Sequence, residues 1–521
     1  PAGTPILHFD LHPYPFQREM LQALTVERER HGRFHNLVVA ATGTGKTMVA
    51  AFDYLQIRKF IQNPSLLFVA HRKEILSQSL ATYRAVLKDY QFGQMLVDGQ
   101  KPTEDRHVFA SVQSLAQIPL DDLMPDAYDV VVVDEFHHAA AATYERLLNH
   151  LTPRVLLGLT ATPERTDSRS VLGWFDNRIA VELRLWDALE RGLLCPFQYF
   201  GISDGVDLSR VQWAKGGYLQ ADLEKVYTGD QKRVDLVVAA ITDKLVDPRA
   251  MRALGFCVSV AHAEFMAREF TRRGIPSVAV SADSSPIERE GALRQLRDRT
   301  VNVVFCVDLF NEGVDVPEVD TVLFLRPTES ALVFLQQLGR GLRRMDDKPC
   351  LTVLDFVGQA HRKFRFDLRL RALIGGHRSE LIRQVEQGFP TLPSGCSIQL
   401  DRVVTDVVLA NIKQSVGSTF ASLVAELRVV ASEWVEGGHD ASGITLAHFL
   451  DKAALDLGDV YRAAGWSWSR VRRATGLGVE AEGPDEDRLI RAMGRLLHVD
   501  DPVRLDLYRR AGLGALTERE L

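Results

Sequence analysis

A chain of 521 residues is too long for one hydrophobic core, and domains of about 100–200 residues predict three or four of them. Its 46% hydrophobic and 25% charged content excludes a disordered, collagenous or disulfide-stapled chain. A net charge of −6 excludes a histone-like protein held to nucleic acid by bulk charge, but not a motor that grips a backbone through a local groove. The 62 basic residues comprise 49 Arg and 13 Lys, the bias of a GC-rich genome. No run approaches the ~20 uncharged apolar residues that span a bilayer, so no membrane partner is expected. The chain starts Pro-Ala-Gly rather than Met, without a basic start and apolar run. No secretory leader is expected, and flanking domains are. Cys195, Cys257, Cys306, Cys350 and Cys396 are far apart and form no C-x-x-C, which argues against a zinc ribbon and for a reducing cytoplasm.

Short Val/Leu-rich runs alternate with longer amphipathic stretches from the start of the chain. The expected strands are Leu37–Ala40, Leu66–Ala70, His107–Ala110, Val130–Asp134 and Val155–Leu159. A second series follows Arg233, with strands at Ala253–Ser259, Ser277–Val280, Val301–Val307, Thr321–Phe324 and Leu351–Phe356. Buried strands alternating with helices mean parallel sheets covered on both faces. The expected fold class is α/β: two tandem parallel-sheet domains, at 1–200 and 231–375, followed by an α-helical domain at 376–521. Residues 201–230, rich in Gly, Asp and Tyr, read as a connector. Residues 376–521 carry 17 basic and 21 acidic side chains, so this tail is no basic nucleic-acid arm.

Ala40-Ala41-Thr42-Gly43-Thr44-Gly45-Lys46-Thr47 follows an expected strand and opens an expected helix, the context a phosphate loop requires. Its glycines let backbone N–H groups turn toward phosphates, and the helix N-terminus adds partial positive charge. Lys46 can reach the β- and γ-phosphates of ATP, and the Thr47 hydroxyl can ligate Mg²⁺. Downstream, Val130–Val133 runs into Asp134, Glu135, Phe136 and His137. Two carboxylates at the end of an apolar strand suit Mg²⁺ binding by Asp134 and activation of water by Glu135.

With these residues the sequence resembles a superfamily II helicase of the DExH type. Further segments resemble the family's motifs and keep its order. They are Phe16-Gln17, the Ala70–Glu74 run, Ser111-Val112-Gln113, Thr160-Ala161-Thr162-Pro163, the Phe256–Ser259 run, the Asn311–Pro317 run and the Gln336–Arg343 run. The matched region extends from about residue 14 to about residue 344. The Phe305–Gly313 and Leu325–Ser330 segments are similar to one bacterial helicase family in which a phospholipase-D-like nuclease domain often precedes the motor. Such a nuclease, as a domain or a subunit outside this chain, is an expected partner. No nuclease is expected within it, because Gln78 stands where the H-x-K-x₄-D signature begun by His71 and Lys73 requires Asp.

The resemblance implies two RecA-like domains and roles for individual residues. Gln17 would read adenine, while Thr42, Gly43, Thr44 and Gly45 would cradle ATP beside Lys46 and Thr47. Arg343 would be the arginine finger, with Arg340 also facing the γ-phosphate. Gly313 and Asp315 would link nucleotide to nucleic acid. His137, Thr160, Thr162 and Gln336 would couple the domains. Arg72, Ser111, Gln113 and Ser259 would touch the nucleic-acid backbone. The implied activity is ATP-dependent movement on, or unwinding of, DNA in repair or in defence against foreign DNA. An RNA helicase and a nucleotide-switched clamp are the alternatives. Two basic clusters stay open: Arg362, Lys363, Arg365, Arg369 and Arg371 as phosphate contacts or a solvated face, and Trp466 to Arg473 as a nucleic-acid element or the core of a small helical bundle.

Overall fold

The computed structural model describes residues 10–510 except 120–121, 137–141, 162–170, 177, 215–216, 310–315, 329, 362–363, 375–377, 416–418, 437–439, 454, 464, 478–482, 484, 496–503, 505 and 508. The chain divides into two compact units. One comprises residues 1–361, 372–374 and 388–407, and the other residues 362–371, 375–387 and 408–521.

The larger unit holds two seven-stranded parallel sheets. The first contains β1 (His35–Ala40), β2 (Leu66–Ala70), β3 (Gln94–Leu96), β4 (His107–Ser111), β5 (Val130–Val133), β6 (Val155–Thr160) and β7 (Val181–Leu183). Their order is β3-β4-β2-β5-β6-β1-β7. The middle strands read as unbroken apolar runs because helices cover both faces. Leu37, Val39, Leu67, Val69, Val131, Val133 and Leu156 share one core with Phe136 and Phe175. Each such side chain contributes about 1.5–3 kcal/mol by leaving water, so the sheet interior outweighs any single polar feature at its edge.

The second sheet contains β8 (Phe197–Asp207), β11 (Ala253–Phe256), β12 (Ser277–Val280), β13 (Val303–Cys306), β14 (Thr321–Phe324), β15 (Leu351–Gln359) and β16 (Ser397–Leu400). Its order is β12-β13-β11-β14-β15-β8-β16. Between β8 and β11 lie a two-stranded hairpin, β9 (Trp213–Ala214) and β10 (Gly217–Tyr218), and two helices, Gln220–Tyr227 and Gln231–Lys244.

Two elements differ from the sequence reading. The stretch expected to open the connector is the second half of β8, which pairs with β15 from Phe197↔Leu351 onward. Its Ser203, Asp204 and Gly205 hide the strand pattern. Asp204 is nonetheless buried, because Arg233 donates to its carboxylate at 2.9 Å. β16 also lies beyond Gly375, where strands were expected to stop. It is a four-residue edge strand whose Ser and Gln carry little apolar signal.

The smaller unit is helical. Leu423, Leu427, Val430, Phe449, Val460 and Val471 form its core, and Trp466 and Trp468 pack against that core. Trp468 lies over Phe449 with ring centroids 5.3 Å apart. The bundle-core reading of the two tryptophans therefore holds. Of the other cluster, Arg362 and Lys363 lie outside the described residues, and Arg365, Arg369 and Arg371 form no solvated face. Arg365 donates to Asp367, Arg371 donates to Glu426 at 2.8 Å, and Arg369 is buried. A planar guanidinium can bury its stem and satisfy a carboxylate at once.

In the middle of β6, a β-carbon built on Gly158 would stand 2.6 Å from Phe175 Cζ and 2.9 Å from Phe136 Cδ2. Gly158→Val should therefore destabilise the chain by about 1–3 kcal/mol through overpacking. The check is the denaturant midpoint of the variant against wild type. An unchanged midpoint would mean that the two rings yield without loss.

Candidate active site

The phosphate loop leaves the carboxyl end of β1 and enters the helix Lys46–Ile57. Two left-handed residues shape it, Gly43 at φ +93° and Gly45 at φ +79°. Gly45 is the cap residue of that helix, so the first turn's N–H groups face the loop. Thr44 is buried and its hydroxyl donates to the Ala41 carbonyl at 2.7 Å. The Lys46 ammonium donates to the Ala40 carbonyl at 3.0 Å, across the mouth of the loop. Thr42 and Thr47 are half-buried.

Gln17 lies on the helix Pro15–His31 and is only 3% exposed. Its amide donates to the Thr44 carbonyl at 3.3 Å and accepts from the Tyr14 N–H at 3.0 Å. The expected adenine reader is thus seated against the phosphate loop. A tie absent from the sequence reading holds it there. Arg28, on the same helix as Gln17, makes two hydrogen bonds of 2.6 and 2.7 Å to Asp53 on the helix that follows the loop. Both partners are buried, so removing either would strand a charge. Its one signal in the sequence is a lone Asp in an otherwise apolar helix face.

Asp134 and Glu135 stand at the carboxyl end of β5, and Thr160 ends β6, which lies between β5 and β1. Val39 of β1 is in register with Thr160, and Val133 with Gly158. All three groups therefore gather on the edge from which the phosphate loop springs. Both carboxylates and Thr160 are buried. Glu135 has φ +51°, a left-handed backbone costing a non-glycine residue roughly 1–2 kcal/mol, and its N–H donates to Asp134 Oδ1 at 2.9 Å. The strand end is bent to turn Glu135 away from the line of β5.

The second sheet brings the arginines. Gln336 is buried in the helix Ala331–Gly339, which ends at Arg340. A β-carbon on Gly339 would stand 2.7 Å from Thr42 Cβ, and one on Gly43 would stand 3.5 Å from Arg343 Cγ. The arginine segment is thus seated directly on the phosphate loop, with Arg343 above its glycine. Arg340 Nε donates to the Gln336 carbonyl at 3.3 Å. Sequence reasoning missed two supports of this segment. One is the stretch joining the sheets: Cys195 N–H donates to the Leu342 carbonyl at 2.7 Å, and Arg344 donates to the Gly192 carbonyl at 2.6 Å. The other is Lys348, which is buried and donates to three backbone carbonyls.

The residues expected to touch nucleic acid fare differently from one another. Arg72 reaches across to the second sheet, donating to the Leu309 and Asp308 carbonyls at 3.3 and 3.4 Å. Gln113 is exposed. The hydroxyls of Ser111 and Ser259 are buried helix caps, accepting from the N–H groups of Ser114 at 3.1 Å and His262 at 3.2 Å. His137, Thr162, Gly313 and Asp315 lie outside the described residues. In the smaller unit, Arg470 and Arg473 pair with Asp487 and Glu486 at 2.7 and 3.0 Å, so the run around Trp468 spends charge internally.

The arrangement fits ATP with Mg²⁺. Gly45 has no space for a side chain: a β-carbon there would stand 2.8 Å from Gln17 Nε2, so backbone lines that wall. Among the described residues no three His, Cys, Asp or Glu side chains gather as a metal cage. Mg²⁺ takes one or two protein oxygens and completes its octahedron with water and phosphate. Asp134 and Thr47 are the residues that would hold it.

Residues 10–165 match the family described as the type III restriction enzyme res subunit, and residues 237–345 match the helicase conserved C-terminal domain. The Saccharomyces cerevisiae protein IRC3, a candidate ATP-dependent helicase, is 27% identical over 355 residues, covering 66% of this chain and 51% of that protein. The endonuclease subunit of the type I restriction enzyme EcoAI from Escherichia coli is 27% identical over 377 residues, covering 64% of this chain and 45% of that one. The ATP-dependent type ISP restriction-modification enzyme LlaBIII, in a structure bound to DNA, has a TM-score of 0.58 and 13% identity, covering 98% of this chain and 43% of that one. The chain thus spans about half the length of these relatives.

Gly45→Ala should weaken nucleotide binding by about tenfold, since the left-handed backbone costs roughly 1–2 kcal/mol with any side chain and Gln17 must also move. Titration of the variant with a fluorescent ATP analogue checks this. Wild-type affinity would mean that the loop adopts another shape to bind.

Proposed function

Because the chain belongs to superfamily II of the helicases, we propose that it is the ATP-driven motor part of a DNA translocase or helicase that acts in defence against foreign DNA or in repair. The observation that carries this reading is the seating of the arginine segment on the phosphate loop. One ATP site would draw on both sheets, so hydrolysis would depend on how the two domains meet. Lys46 would bind the β- and γ-phosphates, and Gln17 the adenine. When bound, Mg²⁺ would neutralise charge on the phosphates. Glu135 would take a proton from the attacking water, and Arg343 and Arg340 would balance negative charge developing on the transferred phosphoryl group.

DNA is favoured over RNA as substrate by the similarity to the endonuclease subunit of a type I restriction enzyme. A nuclease domain or subunit acting beside this motor is the matching partner. The acidic net charge implies contact through a local groove, and Arg72 and Gln113 are the candidates left for it by the buried caps at Ser111 and Ser259. The proposed division of the motor puts β1–β7 in one half and β8 with β11–β16 in the other, so the second half takes its strands from Phe197 to Leu400 rather than from 231–375 alone. A cytoplasmic setting is supported by five cysteines that form no disulfide. No helix among the described residues is long and apolar enough to cross a membrane.

Glu135→Gln should bind ATP with near wild-type affinity and hardly hydrolyse it, because the charge at Asp134 remains while the base is gone. Loss of binding, as expected for Lys46→Ala, would instead make Glu135 structural.

Arg343→Ala should likewise keep nucleotide affinity, but its turnover stimulated by single-stranded DNA should fall by about 10³–10⁵. The assay is ATP hydrolysis with and without single-stranded DNA, with single-stranded RNA as the parallel arm. Retention of most of the stimulated rate would rule out Arg343 as the finger, and stronger stimulation by RNA would reverse the substrate assignment.

A further inference from the structure

Lys348 sits in the turn before β15 and is 4% exposed. Its ammonium donates to the carbonyls of Pro317 at 2.7 Å, Gly341 at 3.0 Å and Val319 at 3.1 Å. Three donors meet three acceptors, so the inventory of the ammonium is filled by backbone alone. The carboxylates close by in sequence are taken up elsewhere. Arg252 pairs with Asp347 at 3.1 Å and with Asp320 at 3.4 Å. Burial lowers the pKa of Lys348 from its ordinary value, as expected for a charge that has surrendered water for carbonyl dipoles.

The three carbonyls are not an arbitrary set. Gly341 lies between Arg340 and Arg343, while Pro317 and Val319 lie in the segment that enters β14. Gly341 packs against β15 without a side chain, since a β-carbon there would stand 2.3 Å from Leu351 Cδ1. On the other flank of the segment, Cys195 N–H holds the Leu342 carbonyl. Inside the domain, Lys348 is the group that fixes the backbone from which both arginines project.

We propose that Lys348 is the positioning residue of the arginine segment: its ammonium pins the Gly341 carbonyl to the Pro317–Val319 turn and so sets Arg340 and Arg343 at the phosphate loop. This rests on the reading that those arginines serve ATP hydrolysis. Lys348 touches no reacting group in that scheme and acts only through the backbone. A donor lost here leaves three buried carbonyls to be satisfied otherwise, and the segment must move to do so.

The test compares Lys348→Met, Lys348→Gln, Arg343→Ala and the double variant Lys348→Met/Arg343→Ala in the whole chain. Nucleotide affinity, turnover stimulated by single-stranded DNA and the thermal midpoint are measured for each. Lys348→Met should keep nucleotide affinity within about twofold and lose stimulated turnover on the order of 10²-fold, the effect of misplacing a catalytic group by about 1 Å. Lys348→Gln, which keeps two N–H donors, should fall between Met and wild type. The double variant should be slowed by less than the product of the two single losses, because Lys348 acts in part through Arg343 and such effects are not additive. Wild-type turnover in Lys348→Met, or a double variant slowed by the product of the single losses, would overturn the proposal. If Lys348→Met does not fold, the same comparison made with Lys348→Gln decides. Full stimulated turnover in Arg343→Ala would sink the arginine reading and this proposal with it. A loss there with none in the Lys348 variants would sink the positioning role alone.

Discussion

The site depends on two segments that meet where each presents a glycine to a side chain of the other. Gly339 comes against Thr42, and Gly43 comes under Arg343. A β-carbon at 339 would overlap the Thr42 side chain at 2.7 Å, and only a shift of the whole helix end could relieve it. Close approach matters because a guanidinium stabilises developing charge only within a few ångströms and with water excluded. The glycines therefore set the distance over which the second domain's charge can act on the first domain's loop.

That seam is reinforced by the chain's own path. The stretch from Gly192 to Pro196 leaves the first sheet and enters β8. Leu194 lies 3.4 Å from a β-carbon built on Gly43. Its neighbours Gly192 and Cys195 hydrogen-bond to Arg344 and Leu342. The covalent link between the domains thus touches both the phosphate loop and the arginine segment. A change in the separation of loop and arginines must pass through these bonds, whereas a linker looping through solvent would leave the two free of each other.

Much of this was legible in the sequence, for reasons that differ by residue. The apolar strands of both sheets stand out because burial on two faces removes the polar alternation that would confuse them. Gly45 and Lys46 are legible because a left-handed cap and a reaching ammonium tolerate few substitutes. β8 was masked because Asp204 is buried through a partner 29 residues away, and no local pattern records that. Ser111 and Ser259 looked like contacts because a hydroxyl before a helix has two uses, capping the helix or meeting a phosphate. Burial decides between those uses, and burial is a property of the fold. The Arg28–Asp53 pair and Lys348 were missed for the same reason: each is a polar group whose meaning lies in what surrounds it.

The way the chain divides its cations follows from geometry. Lys is scarce here, yet Lys and not Arg occupies position 348. A guanidinium is a planar fork matched to a carboxylate, and buried Arg28 uses it so on Asp53, while buried Arg378 donates instead to the Ala453 and Ile412 carbonyls. Three carbonyls from two segments meet at the Lys348 ammonium. A compact ammonium with three donors fits them, while a guanidinium would direct its five N–H groups into a space holding three acceptors and leave donors buried without partners. At position 348 three backbone carbonyls match the three donors of an ammonium.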